Sequence, residues 1–192
     1  MAKAFKNGAR GITGSLASAE RKLLRELFSD VITVLEERAQ IHELPEDLDP
    51  LYALTGMRPE SANLPEPADA AVKRLLPDAS DDKDVADEFR RLTELDLITE
   101  KISLLRRSQL LLETEKLVLS VSEAQGFARA LNDVRLVLAE RLNIQSEADS
   151  ERIAQLVDAA KVTTSEEYLG LVYNLVSWVQ DTLMQALMSA ER

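Results

Sequence analysis

The sequence contains no cysteine. That excludes disulfides, thiol nucleophiles, zinc–thiolate centres and thiol redox sensing in this chain, and it fits the reducing cytosol. Histidine occurs once, as His42. No Glu-x-x-His pair accompanies it on a helix, so the di-iron motif of helical bundles is missing. It also stands near no serine nucleophile motif, which leaves no catalytic triad. Gly8, Gly11 and Gly14 are followed by no Lys-Ser/Thr pair and succeed no buried strand, so no phosphate loop is present. The opening MAKAFKNGARG lacks the apolar core of a secretory signal. No stretch reaches the roughly 20 apolar residues of a membrane span: the uncharged run from Tyr168 to Gln180 is closed by Asp181. Positive charge is in deficit as well, with 23 Lys and Arg against 34 Asp and Glu and a net charge of −11. Such a surface repels phosphate backbones and anionic lipid unless a local basic patch overcomes the field. The expectation is a soluble, cytoplasmic protein with no metal, no cofactor and no membrane contact.

Hydrophobic residues supply 45% of the chain, a globular composition. A chain of 192 residues buries a sufficient core without staples. Periodicity predicts one mainly helical, bundle-like domain over 1–192, with a small element of two or three strands. Residues 1–17 read as a basic arm or hairpin, with Asn7-Gly8 as the two-residue turn. A first helix starts near Ser18 as N-cap, with Leu24, Phe28, Val31 and Leu35 as its buried stripe. Asp49-Pro50 and Gly56 frame a short helix over LYALT, and 57–67, with Pro59, Pro65 and Pro67, reads as a Pro-rich loop. A short helix near Ala70–Leu76 ends at Pro77. A long helix follows from about Lys83 to Leu112, its apolar positions Val85, Phe89, Leu92, Leu95, Ile102 and Leu105, and Asp81 or Asp82 caps it. Leu117–Val121 is a short strand that extends the hairpin. Three more helices are expected: about Ser122–Leu142, Asp149–Lys161 with Ile153, Leu156, Val157 and Ala160, and one opened by a Thr164/Glu167 capping box and running to Ala190.

Within Ser122–Leu142 the stretch RALNDVRLVLAERL places Phe127, Leu131, Leu138 and Leu142 on one face and Arg129, Asp133 and Glu140 on the opposite, solvent side. Asn132 and Arg135 lie on the flank between them. A half-buried arginine needs an acceptor, and Asp181, inside the most apolar helix, supplies one. Arg135 and Asp181 are therefore expected to meet, with Asn132 or Gln180 bonded to them, as an interhelical lock or a small polar pocket. Leu136 and Val137 broaden the apolar surface, which argues against a DNA-recognition helix. Arg90, Arg91, Glu94 and Asp96 read as a solvated charged face. Asp78, Asp81, Asp82 and Asp84 lack calcium-loop spacing. Six cations, Lys3, Lys6, Arg10, Arg21, Lys22 and Arg25, face only Glu20 among the first twenty-five residues. They could touch phosphates, yet residues 36–100 hold eighteen acids and seven bases, so complementarity within or between copies is the cheaper explanation. Met184, Leu187 and Met188 offer an adaptable surface to a partner, or seal a homodimer.

The blocks KRLLPDASDD (73–82), EFRRLTELD (88–96), ALNDVRLVLAERL (130–142) and YNLVSWVQDTLMQAL (173–187) resemble, in order and spacing, those of the DUF2017 family of actinobacterial proteins. The chain departs from the family pattern at Leu95-Asp96-Leu97, where a Leu-Arg pattern is usual, and at Glu140, where glycine is common. The resemblance implies a regulatory, partner-binding protein acting in transcription control linked to oxidative stress, and it assigns no catalytic residue. A thiol switch does not carry over to a chain without cysteine. The leading expectation is thus a non-enzymatic regulator or adaptor that binds another protein. The alternatives are a DNA-binding regulator using the basic arm, and an enzyme with a pocket around Asn132, Arg135 and Asp181.

Overall fold

The structure, a computed structural model, describes residues 2–42, 64–155 and 163–190. The helix expected over Leu51–Thr55, residues 57–63 of the Pro-rich loop, and Leu156, Val157 and Ala160 lie outside the described residues. Six helices and one three-stranded sheet make up the rest: β1 (Lys3–Gly8), β2 (Gly11–Ser15), α1 (Ser18–Gln40), α2 (Ala70–Leu75), α3 (Lys83–Leu111), β3 (Lys116–Leu119), α4 (Val121–Arg141), α5 (Glu147–Ala154) and α6 (Ser165–Ala190).

The strands lie in the order β1-β2-β3, antiparallel throughout. Asn7-Gly8 belongs to β1 and not to the turn: Gly8 pairs with Gly11, and Ala9-Arg10 make the two-residue connection. Gly11 is required there, because its φ is +103° and a Cβ would sit 2.6 Å from the Leu119 carbonyl oxygen. Gly14 leaves room for the Phe5 ring. The third strand is shorter than expected, since Val121 already opens α4 behind a Ser120/Glu123 capping box.

Caps fix the helix starts. Ala17, not Ser18, is the N-cap residue of α1, and the Glu20 carboxylate reaches back to accept from the Ala17 amide at 2.7 Å and from the Ala2 amide at 3.0 Å. Asp69 caps α2 and Asp82 caps α3. The Thr164/Glu167 reciprocal pair closes the start of α6 as its spacing implies. Helix α4 is central and touches α1, α2, α3 and α6, while α6 also covers β1 and β2. Their apolar faces meet in one core, in which Phe127 packs edge-on against Phe28 at 6.1 Å.

Helix α3 departs most from its pattern. Its first half is turned with Ala86, Arg90 and Glu94 inward and Val85, Phe89, Leu92 and Leu95 in solvent. Only from Ile98 onward, through Leu105, does the apolar side face the core. The physical reason is an acceptor requirement: α1 and the turn after it bring Arg38 and His42 against this half of α3, and a buried guanidinium must meet a carboxylate.

Candidate functional site

Three helix stripes line one cleft. Leu97, Glu100, Lys101 and Leu104 come from α3, Gln125, Ala128, Arg129, Asn132 and Asp133 from α4, and Gln180, Met184, Leu187 and Met188 from α6. Each set repeats at three- and four-residue steps, so each helix presents a single face, and the stripes run for about two turns, roughly 12 Å. The groove has a volume of about 590 Å³. Leu187 is buried in its wall, while Met184 and Met188 remain 42% and 56% exposed along the rim.

One ion pair spans the floor. Lys101 Nζ donates to Asp133 Oδ1 at 2.7 Å, tying α3 to α4. Asp133 is buried rather than on the solvent side expected of it, because Lys101 of the neighbouring helix reaches it there. Burial pushes its carboxyl above the usual range, and the charge and hydrogen bond of Lys101 offset only part of that. Arg129 is exposed, as its position implies, and lies 3.8 Å from Glu100. Glu140 is instead half-buried, engaged by Arg74 at 2.6 Å.

The expected Arg135–Asp181 pair does not form. Arg135 Nη1 donates to Gln180 Oε1 at 3.0 Å, and Asp181 is solvent-exposed with no ion pair among the described residues. Half-buried Arg135 accepts a neutral partner because it keeps contact with water, which lowers its need for a full counter-charge. The Gln180 carboxamide in turn donates to the Ala128 carbonyl at 3.4 Å. Asn132 and Gln180 thus reach the groove together with the methionine rim, whereas Arg135 and Asp181 do not line it.

A second polar cluster was hidden in the sequence. Glu94 Oε1 accepts from Arg38 Nε at 2.6 Å and faces His42 Nε2 at 2.7 Å, and all three side chains are buried. Arg38 also donates to the Pro65 carbonyl at 2.8 Å. Arg90 lies 3.6 Å from the other Glu94 oxygen and binds Asp87 and Asp78. Burial alone would raise the Glu94 carboxyl, but hydrogen bonds and charge from His42 and Arg38 outweigh it and hold the group below the usual range. Arg90 and Glu94 are therefore interior residues and not the solvated face their composition suggested. Arg91 pairs with exposed Glu88 at 2.6 Å, although its own side chain is mostly covered. The available signal was helix phase: counting back from Ile98 and Leu105 in 100° steps puts Glu94 and Arg90 on the inner side.

The six N-terminal cations do not act as one arm. Arg21 spends its guanidinium on the Leu112 and Glu113 carbonyls at the end of α3, at 3.0 and 2.8 Å. Lys22 sits 3.8 Å from Glu26, and Arg25 is exposed on the same helix. Lys3, Lys6 and Arg10 lie apart from these, on the sheet. Among the described residues no helix is long and apolar enough to cross a membrane.

A family model described as "Domain of unknown function (DUF2017)" matches residues 2–187. No curated protein and no solved structure matches the chain.

Proposed function

The chain belongs to the DUF2017 family, and on that footing we propose that it is a non-enzymatic regulatory or adaptor protein whose groove between α3, α4 and α6 receives a short amphipathic helix of a partner protein. The observation that carries the reading is the groove itself, a channel about two turns long whose leucine walls and two exposed rim methionines flank the Lys101–Asp133 pair, Asn132 and Gln180. A helix with apolar side chains at i, i+4 and i+7 spans roughly 10 Å and fits such a channel. Methionine adapts its unbranched side chain to differing partners. The net charge of −11 favours a helix whose other faces are basic. A role in stress-linked transcription control rests on the family resemblance alone.

The geometry gives less support to the rivals. A DNA-binding arm would need its cations on one surface, yet Arg21 is engaged by backbone carbonyls and the others are divided between sheet and α1. The enzyme reading required Arg135 and Asp181 around one pocket with Asn132, and neither lines the groove.

The test is photo-crosslinking in the native host, with a benzophenone amino acid at Met184 and, as control, at exposed Asp30. The expected result is a distinct adduct from position 184 alone, linked through a peptide of amphipathic helical pattern. Adducts of equal yield from both positions, or none from 184, would contradict the proposal, and an adduct of dimer mass would assign the groove to a second copy.

A further inference from the structure

The sheet turns one face to the core and the other to solvent. Phe5, Ile12, Leu117 and Leu119 point inward. On the outer face the pairing register aligns Lys3, Ser15 and Lys116 in one row across the strands, and Lys6, Thr13 and Val118 in the next. Arg10, in the hairpin turn, borders the same shallow hollow of about 670 Å³. No carboxylate lines that hollow, and none of its four cations is ion-paired among the described residues. Six cations elsewhere, Arg38, Arg74, Arg90, Arg91, Lys101 and Arg106, each rest on a carboxylate, and those that do not, such as Arg21 and Arg135, are not gathered four to one face. Gathering like charges on one sheet face opposes folding, and in a chain of net charge −11 abundant acids stand ready to neutralise them.

We propose that the outer face of the β1-β2-β3 sheet docks an extended acidic segment of a partner protein. Spacing supports this occupant. The two lysine rows are two residues apart along β2, roughly 6.8 Å, and carboxylates at i and i+2 of an extended chain repeat at the same distance on one side. Small side chains at Ala4 and Ser15 let such a chain lie close. A nucleic acid fits less well. No aromatic ring lines the face for base stacking. The favourable field also extends only about 8 Å at physiological salt before the acidic remainder of the surface dominates, which suits a few carboxylates rather than a long polyanion. This surface shares no residue with the groove, so either stands without the other.

The test uses the full chain and a fluorescein-labelled decapeptide of alternating Glu and Ser, followed by fluorescence anisotropy. Binding is expected at low salt and is weakened by added salt. Replacing Lys3, Lys6 and Lys116 together by Gln weakens it roughly tenfold, and Lys116→Gln alone by about twofold to threefold. The double variant Lys22→Gln/Arg25→Gln on α1 binds as the parent does. Three results would overturn the proposal: no anisotropy change at low salt, equal losses in the sheet and α1 variants, or tighter binding of a single-stranded or duplex oligonucleotide of matched charge. Lys116→Gln sits on a solvent-facing strand position, so it keeps the test open if the triple variant melts early.

Discussion

Glu94 holds α1 and α3 together through one carboxylate oxygen shared by Arg38 and His42. Removing one partner of a buried ion pair leaves the other uncompensated, which costs about 3–5 kcal/mol. Glu94→Ala or Arg38→Ala is expected to lose that much in urea unfolding, followed through the single Trp178. The same carboxyl gives the protein acid sensitivity. Its folded pKa is depressed, so its contribution is complete above the unfolded value of about 4.3 and is lost as pH falls through the folded one. Glu94→Gln should flatten the dependence of the urea midpoint on pH in that window; an unchanged slope would show that Glu94 is not bound as described. Asp133 carries the opposite sign. Its pKa is raised, so its contribution is full below the unfolded value and declines as pH rises through the folded one. A double-mutant cycle of Lys101→Met and Asp133→Leu is expected to return a coupling on the order of 1–3 kcal/mol, with the double variant better than the sum of the single ones.

At the scale of the element, α3 is the sharpest case. Phe89 and Leu92 are 48% and 58% exposed. Phe89→Ser and Leu92→Gln should each shift stability by no more than about 0.5 kcal/mol, whereas core positions would lose about 2–5 kcal/mol. Losses of the larger size would restore the apolar stripe to the interior. The helices themselves were legible, because caps such as Thr164/Glu167 and stripes such as Leu24, Phe28, Val31 and Leu35 are local features. The rotation of α3 was legible only in part: phase marks Glu94 and Arg90 as inner positions, but the partners that make burial of Glu94 tolerable, Arg38 and His42, lie more than fifty residues away from it in sequence. The hairpin was legible and its turn was displaced, because Asn7-Gly8 is a strong local signal overridden by the contact of Gly11 with β3. Gly11→Ala combines a positive φ with a blocked backbone approach and is expected to cost about 1–3 kcal/mol, read as a lower melting temperature.

Across the whole molecule, the groove exists only because three helices distant in sequence converge. Met184, Leu187 and Met188 were legible as one helix face from their spacing, and Asn132 and Gln180 as a polar seam. That these two groups border one channel, with Lys101 and Asp133 on its floor, follows from packing that no single segment encodes. The identity of Arg135's acceptor was missed for the same reason: Gln180 and Asp181 are adjacent in sequence, and only the rotation of α6 against α4 chooses between them.

The groove's occupancy is tested most directly by the methionine methyl groups. The chain has four methionines, and Met184 and Met188 border the channel. In a spectrum of methyl-labelled protein titrated with the peptide recovered by crosslinking, the resonances of Met184 and Met188 should shift together and saturate. No shift of Met184 and Met188 at saturating peptide would contradict the account.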